Sequence, residues 1–175
     1  MNLVKVLKRF FIPSLAVTGI YLLKYKCKVS PKSEIDLSKL LKIGKGTQIS
    51  SFCKIKATDG PMTMGENVSV ATGCFISSDT GGVEIGEYSM IGPNVTIVGN
   101  NYKYDKLDIP VCLQEKTSKG IRIGRDVWIG AGSSILDGAS IGDSVIIAPN
   151  SVVSAKIADF SIVQGNPAKV VFKRR

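Results

Sequence analysis

The segment TIVGNNYKYDKLDIPVCLQ, residues 96–114, gathers the side chains best placed to do chemistry: Asn100, Asn101, Tyr102, Tyr104, Asp105, Asp108 and Gln114. The chain has no histidine at all, so the commonest proton shuttle near neutral pH is missing. An asparagine amide does not titrate, and a tyrosine near its reference pKa of about 10 keeps its proton at neutral pH. Proton removal would fall to Asp105, Asp108 or a displaced tyrosine, or be avoided with an acceptor that needs little help.

The net charge of +9 over 175 residues favours acidic partners such as phosphates, nucleotides, nucleic acid or an anionic membrane face. A purely solubilising surface charge is the alternative. The aromatics do not interleave with basic residues as a base-stacking platform requires, which argues against nucleic acid. The four cysteines, Cys27, Cys53, Cys74 and Cys112, show no CxxC spacing, and without histidine a mixed zinc site has no basis. They are expected as reduced thiols of a cytoplasmic protein, with Cys53 and Cys74 as small core residues.

These residues must be held by something, and the flanking sequence says what. From Ile123 every sixth residue is aliphatic and β-branched: Ile129, Ile135, Ile141, Ile147, Val153. Upstream the same pattern runs through Ile43, Ile49, Ile55, then Met64, Val70, Ile76, then Ile85, Ile91, Ile97. Two steps are longer by three residues, from 55 to 64 and from 76 to 85, so equivalent positions recur every 21 residues below and every 18 above. A six-residue period is neither helical nor a plain strand alternation. It describes short strands separated by tight turns, three to a coil, with the aliphatic residues stacked inside. The extra triplets and the excursion 98–122 all leave after the same strand of the coil, so they should line up at one corner. Stacking has no need of so long a detour, and such loops are often functional.

The N-terminus, MNLVKVLKRFFIPSLAVTGIYLLKYKCK, mimics a signal peptide but lacks a small-x-small site after its apolar run. Leu3, Val4, Leu7 and Phe11 have helical spacing with Lys5, Lys8 and Arg9 turned away. An amphipathic helix on a membrane surface and a helix packed on the main domain or a neighbouring subunit both fit.

The hexads resemble those of the hexapeptide-repeat acyltransferases over roughly residues 43–175. The segment GNNYKYDKLDIPVCLQEKTSKGIRIGRDVWIGAG looks like the active-site region of the sugar O-acetyltransferase branch, which includes the maltose and galactoside acetyltransferases. Pro110, Gln114 and IGRDVWIGAG match that branch, as does the ending FSIVQGNPAKVVFKRR. The resemblance implies an all-β, left-handed parallel β-helix of about five coils with a short N-terminal helical segment. The expected organisation is an N-terminal segment 1–30, a β-helix 31–157 with excursion loop 98–122, and a tail 158–175 carrying GNPAK. It also implies a homotrimer with sites between neighbouring β-helices, where one subunit's loop meets the DVWIGAG edge of another.

The activity implied is transfer of an acetyl group from acetyl-CoA to a sugar hydroxyl or amino group, in surface-polysaccharide or nucleotide-sugar metabolism. The acceptor could be a nucleotide sugar or lipid-linked, met in the cytoplasm or at the inner membrane face. By resemblance the catalytic histidine falls at Tyr102, Asn101 or Asn100, and is absent. Trp128, with Tyr104, Asp105 and Gln114, would form the acceptor pocket. Gly130 and Ala131 would approach the thioester, Pro149, Ser154 and Lys156 would line the pantetheine path, and Lys169, Lys173, Arg174 and Arg175 would hold the phosphates of coenzyme A. Ala155 stands where the family commonly has a lysine. No metal is implied, and a carbonic anhydrase of this fold would need three histidine ligands. A catalytically silent trimer that binds coenzyme A or a sugar is the other reading.

Overall fold

The computed structural model describes residues 13–57 and 59–175. The helical pattern expected around Leu3, Val4, Leu7 and Phe11 lies outside these residues. From Lys28 onward the chain winds as a three-sided left-handed parallel β-helix. The first face stacks Lys28–Val29, Gln48–Ile49, Ser69–Val70, Met90–Ile91, Trp128–Ile129, Ile146–Ile147 and Ser161–Gln164. The second stacks six strands from Glu34–Ile35 to Val152–Val153, and the third six from Leu41–Ile43 to Lys156–Ile157. Six complete coils result, rather than about five. The fifteen hexad positions miss Val29 and Ile35 below and Ile157 and Val163 above, which the structure adds to the columns.

Parallel strands two or three residues long cannot hold by themselves, and the columns of identical side chains explain the stack. Ile35, Ile55, Ile76, Ile97, Ile135 and Val153 lie in direct register down the second face, all buried. Burying an aliphatic side chain of this size stabilises by about 1.5–3 kcal/mol, and each coil repeats the gain on every face. The small residue four places after each aliphatic turns inward at the corners. Cys53 and Cys74 are such a stacked pair of free thiols, their Sγ atoms donating to the carbonyls of Ala71 (3.0 Å) and Gly92 (3.1 Å) one coil above. Ser133 Oγ likewise donates to the Ala148 carbonyl at 3.1 Å.

The three corners differ. The first, between faces one and two, turns on one left-handed residue in every coil above the lowest: Phe52, Gly73, Asn94, Gly132 and Asn150. The third, between faces three and one, turns on Gly46, Asn67, Tyr88, Asp126, Ser144 and Phe160 in the same way. The second, between faces two and three, is where both inserted triplets and the long excursion leave the stack. Helix α1 (Ser14–Tyr25) closes the lower end, with Val17 and Tyr21 turned to the core and the Tyr21 hydroxyl donating to the Asp36 carbonyl. At the upper end Lys169–Lys173 runs antiparallel to Ser161–Gln164 and covers the first face's last strand. No helix among the described residues is long and apolar enough to cross a membrane.

Candidate functional site

The excursion rises from the second corner as a short hairpin, Asn101–Tyr102 against Lys116–Thr117, continued by a Lys103–Glu115 ion pair at 2.6 Å. Its root is tied down from three directions. Ser118 Oγ donates to the Gly99 carbonyl (2.6 Å) and accepts the Gly81 N–H (2.9 Å), while Asp137 accepts the N–H groups of Lys119 and Gly120. Gly120 adopts φ +86°, and a Cβ there would strike the Gly81 backbone. Further out, Gln114 clips the loop shut. Its amide nitrogen donates to the carbonyls of Lys106 (2.8 Å) and Ile109 (2.9 Å), and its oxygen accepts the Lys106 N–H. Both of its N–H groups are spent on the loop, so here it shapes the site's wall.

The three positions for the expected histidine have different surroundings. Tyr102 is partly exposed with Lys116 Nζ 5.4 Å from its ring centre, and Asn101 turns its carbonyl oxygen onto the neighbouring Tyr102 N–H. Asn100 alone among them meets a carboxylate: its Nδ2 donates to Asp79 Oδ2 at 3.0 Å. Asp79, only 9% exposed, takes the Thr80 N–H on its other oxygen at 2.7 Å. The Thr80 N–H, then the Asn100 amide and the Lys116 charge, hold the Asp79 carboxyl below the usual carboxylate range, against the opposing effect of burial. It is therefore an anion across the physiological range.

Asp79 did not emerge among the sequence candidates, yet a signal was there. It lies 21 residues before Asn100, one full lower coil, and sits beside the inserted TGG triplet at the corner where the loop leaves. Asp105, Tyr104 and Leu107 stand exposed toward the loop tip, Leu107 almost completely at 99%.

Trp128 lies elsewhere in the fold. It is half exposed on the first face, in a column of outward apolar side chains in register: Met90, Trp128, Ile146, Ile162 and Phe172. In a three-sided prism the second corner is the vertex opposite the first face. One chain therefore cannot bring Trp128 and the loop 98–122 into one pocket. The residues expected to hold coenzyme A are also divided. Gly130, Ala131 and Pro149 share the first corner, and Lys169 pairs with Gln164 near the same end of the first face. Ser154 and Lys156 sit at and just past the second corner. Lys173 and Arg174 lie toward the third corner, where Arg174 donates to the Ser144 carbonyl (3.0 Å) and reaches Asp126 (3.4 Å). Among the described residues no group of three or more Cys, Asp or Glu side chains is placed to hold a metal.

Residues 120–155 match the model of the bacterial transferase hexapeptide (six repeats). A protein of Mycobacterium tuberculosis named "Probable acetyltransferase" is 31% identical over 77% of this chain, which spans only 45% of that relative's length. A protein of Escherichia coli K12 named for O-acetyl transfer in lipopolysaccharide biosynthesis is 26% identical over 87% of this chain and 78% of its own length. Among solved structures, a variant of AntD, an N-acyltransferase from Bacillus cereus in complex with dTDP and coenzyme A, superposes with a TM-score of 0.76. It is 20% identical and covers 90% of this chain and 88% of its own, a likeness of fold.

Proposed function

We propose, from the premise that this chain carries the hexapeptide repeat of bacterial transferases, that it moves an acetyl or related acyl group from its coenzyme A thioester to a sugar. The acceptor is a nucleotide sugar or a lipid-linked sugar of surface-polysaccharide metabolism, met in the cytoplasm or at its membrane face. The Asp79–Asn100 pair at the root of the loop carries this reading. It puts a fixed carboxylate beside Asn100, one of the three positions at which the resemblance would set a histidine.

That arrangement favours an amine over a hydroxyl. A hydroxyl must lose its proton as it attacks, and general-base help there is worth about 10²- to 10⁴-fold. A neutral amine attacks unaided and sheds its proton afterwards to a weak base. Asp79, held acidic, is a weak base, but it is a good acceptor for the N–H of an incoming amino group. Asn100 holds one of its oxygens and the Thr80 N–H the other, and each oxygen keeps a second lone pair for such a contact. The names of the relatives speak for both acceptor classes, O-acetyl transfer in one and N-acyl transfer in the other.

The chain works as a homotrimer in this reading, because only a neighbour can lay the Trp128 column against the loop. The exposed Tyr104, Leu107, Val111 and Leu113 of the loop suit such a covering. At the first corner the Gly130 N–H is spent on the Ile147 carbonyl at 2.8 Å. The Ala131 amide is then the candidate donor to the thioester oxygen, a contribution of about 10²- to 10³-fold where such a donor is preorganised. Lys169, with Lys173 and Arg175, supplies cations for the phosphates of coenzyme A.

The test is thiol release from acetyl-CoA against matched amino and hydroxyl sugar nucleotides, with wild type and Asp79→Asn. Turnover on the amino sugar that collapses in the variant supports the proposal. Coenzyme A binding with no turnover on any acceptor would move the protein to a silent binding scaffold.

A further inference from the structure

The charge of this chain is not spread over it. Residues 1–56 carry twelve Lys and Arg against two Asp and Glu, a net +10, while the remaining 119 residues carry eleven against twelve, a net −1. Among the described residues seven of these cations form a ring. Lys28 stands on the first face of the lowest coil, Lys32 at its first corner, Lys39 at its second, Lys42 on its third face and Lys45 at its third corner, with Lys24 and Lys26 at the end of α1, all exposed. The two acidic residues there are occupied: Glu34 pairs with Lys54 at 3.1 Å and Asp36 accepts the Ala57 N–H at 3.2 Å.

The same end also carries exposed apolar side chains. Helix α1 turns Val17 and Tyr21 to the core, and its other sides present Leu15 (72% exposed), Ile20, Leu22 and Leu23 (83%). Leu37 and Leu40 of the lowest coil are exposed as well.

We propose that this end of the prism docks on an anionic lipid bilayer, with the β-helix axis standing roughly upright on the membrane. Basic side chains around an apolar helix face are what interfacial binding requires, the leucines entering the headgroup boundary and the lysines meeting lipid phosphates. A second copy is a poor occupant, since end-to-end pairing would bring two strongly basic ends together. A nucleic acid would satisfy the lysines and leave the leucines in water. The root of the excursion loop lies three coils above the lowest one, about 14 Å at the usual strand spacing. The inference does not depend on the transferase reading, because its test needs no turnover.

The experiment is flotation of the full chain with vesicles of phosphatidylglycerol or phosphatidylcholine. Binding is expected to phosphatidylglycerol alone, and to weaken strongly in about 0.5 M salt, where charge is screened within a few ångströms. Two surface variants, Lys24→Glu/Lys26→Glu/Lys28→Glu and Leu22→Glu/Leu23→Glu, should each lower partitioning about tenfold or more, with thermal unfolding unchanged. Failure of the wild type to bind phosphatidylglycerol vesicles would overturn the proposal. So would retention of wild-type binding by both folded variants, or a change in subunit number in place of vesicle binding.

Discussion

Two corners of the same prism follow opposite rules. The third corner repeats one geometry from coil to coil, a left-handed residue whose N–H reaches the carbonyl of the turn below: Asn67 to Lys45, Tyr88 to Glu66, Ser144 to Arg125. The second corner never settles. Successive coils take eight residues from Ile35 to Ile43, nine from Ile55 to Met64 and from Ile76 to Ile85, twenty-six from Ile97 to Ile123, then six from Ile135 to Ile141. Where the turn carries the stack it is held constant. Where the faces on either side carry it, the corner is free to grow, and there the chain places Asp79, Asn100 and the loop.

The largest effect should come from testing what the free corner lacks. Asn100→His would put an imidazole on Asp79, one ring nitrogen donating to the carboxylate and the other left as a base, the arrangement that fixes a histidine's tautomer and orientation. Turnover on hydroxyl acceptors should rise by about 10²- to 10⁴-fold, the worth of a general base, and on amines far less. Asn101→His and Tyr102→His have no carboxylate partner and should gain little. Thiol-release kinetics on both acceptor types reads all three. Equal gains at the three positions would mean that Asp79 is incidental.

The next effect is structural and sets a glycine packed on the next coil's backbone against one that faces a side chain. At the third corner a Cβ on Gly65 would lie 2.5 Å from the Glu87 backbone nitrogen of the next coil, so Gly65→Ala must push two coils apart. A cost of about 2–3 kcal/mol is expected, the upper part of the range for forcing an extra methyl into well-packed structure. At the second corner Gly138 has φ +85°, but a Cβ there meets only the flexible Lys119 side chain. Gly138→Ala should cost about 1–2 kcal/mol, the left-handed penalty alone. Chemical denaturation measures both, and similar values would mean that the close approach of Gly65 to the next coil costs no more than a left-handed turn facing a side chain.

Much of this contrast was legible in the sequence. The six-residue columns, the stacked Cys53 and Cys74 and the shared corner for every insertion all follow from counting, because each coil must bury the same face. The lowest coil was missed because Val29 and Ile35 are followed by a loose corner, 36–40, before Leu41, and no hexad spacing links them to Ile43. Asp79 was missed for a related reason. The 21-residue spacing that stacks Cys53 on Cys74 also stacks Asp79 under Asn100, but only core positions carry a burial pattern, and polar corner residues have none. That Trp128 and the loop lie on opposite sides of the prism was equally open to counting, since one is on a first-face strand and the other follows a second-face strand.

A smaller effect distinguishes the Asp79 anion from an ordinary carboxylate. Its pKa is depressed on folding, so it stabilises the native state above the unfolded value of about 3.9 and loses that contribution as pH falls through the folded value. Asp79→Asn should therefore leave the acid-unfolding curve, followed by circular dichroism, less steep below about pH 4. Curves that stay parallel would show that the Thr80 and Asn100 hydrogen bonds do not persist in solution.

The smallest effect belongs to the third face, where Arg122 Nε meets Glu84 at 3.0 Å across adjacent coils in register. Both side chains are mostly exposed, so water screens the pair and ordering two long side chains offsets most of its attraction. Arg122→Ala and Glu84→Ala should each change stability by less than about 1 kcal/mol, and a double-mutant cycle should give a coupling of about 0.2–1 kcal/mol. The register of these strands is already set by Val83 under Ile121 and Ile85 under Ile123, all buried. A coupling well above that range would mean that the outer ion pair, and not the inner columns, sets how one coil sits on the next where the loop rejoins the stack.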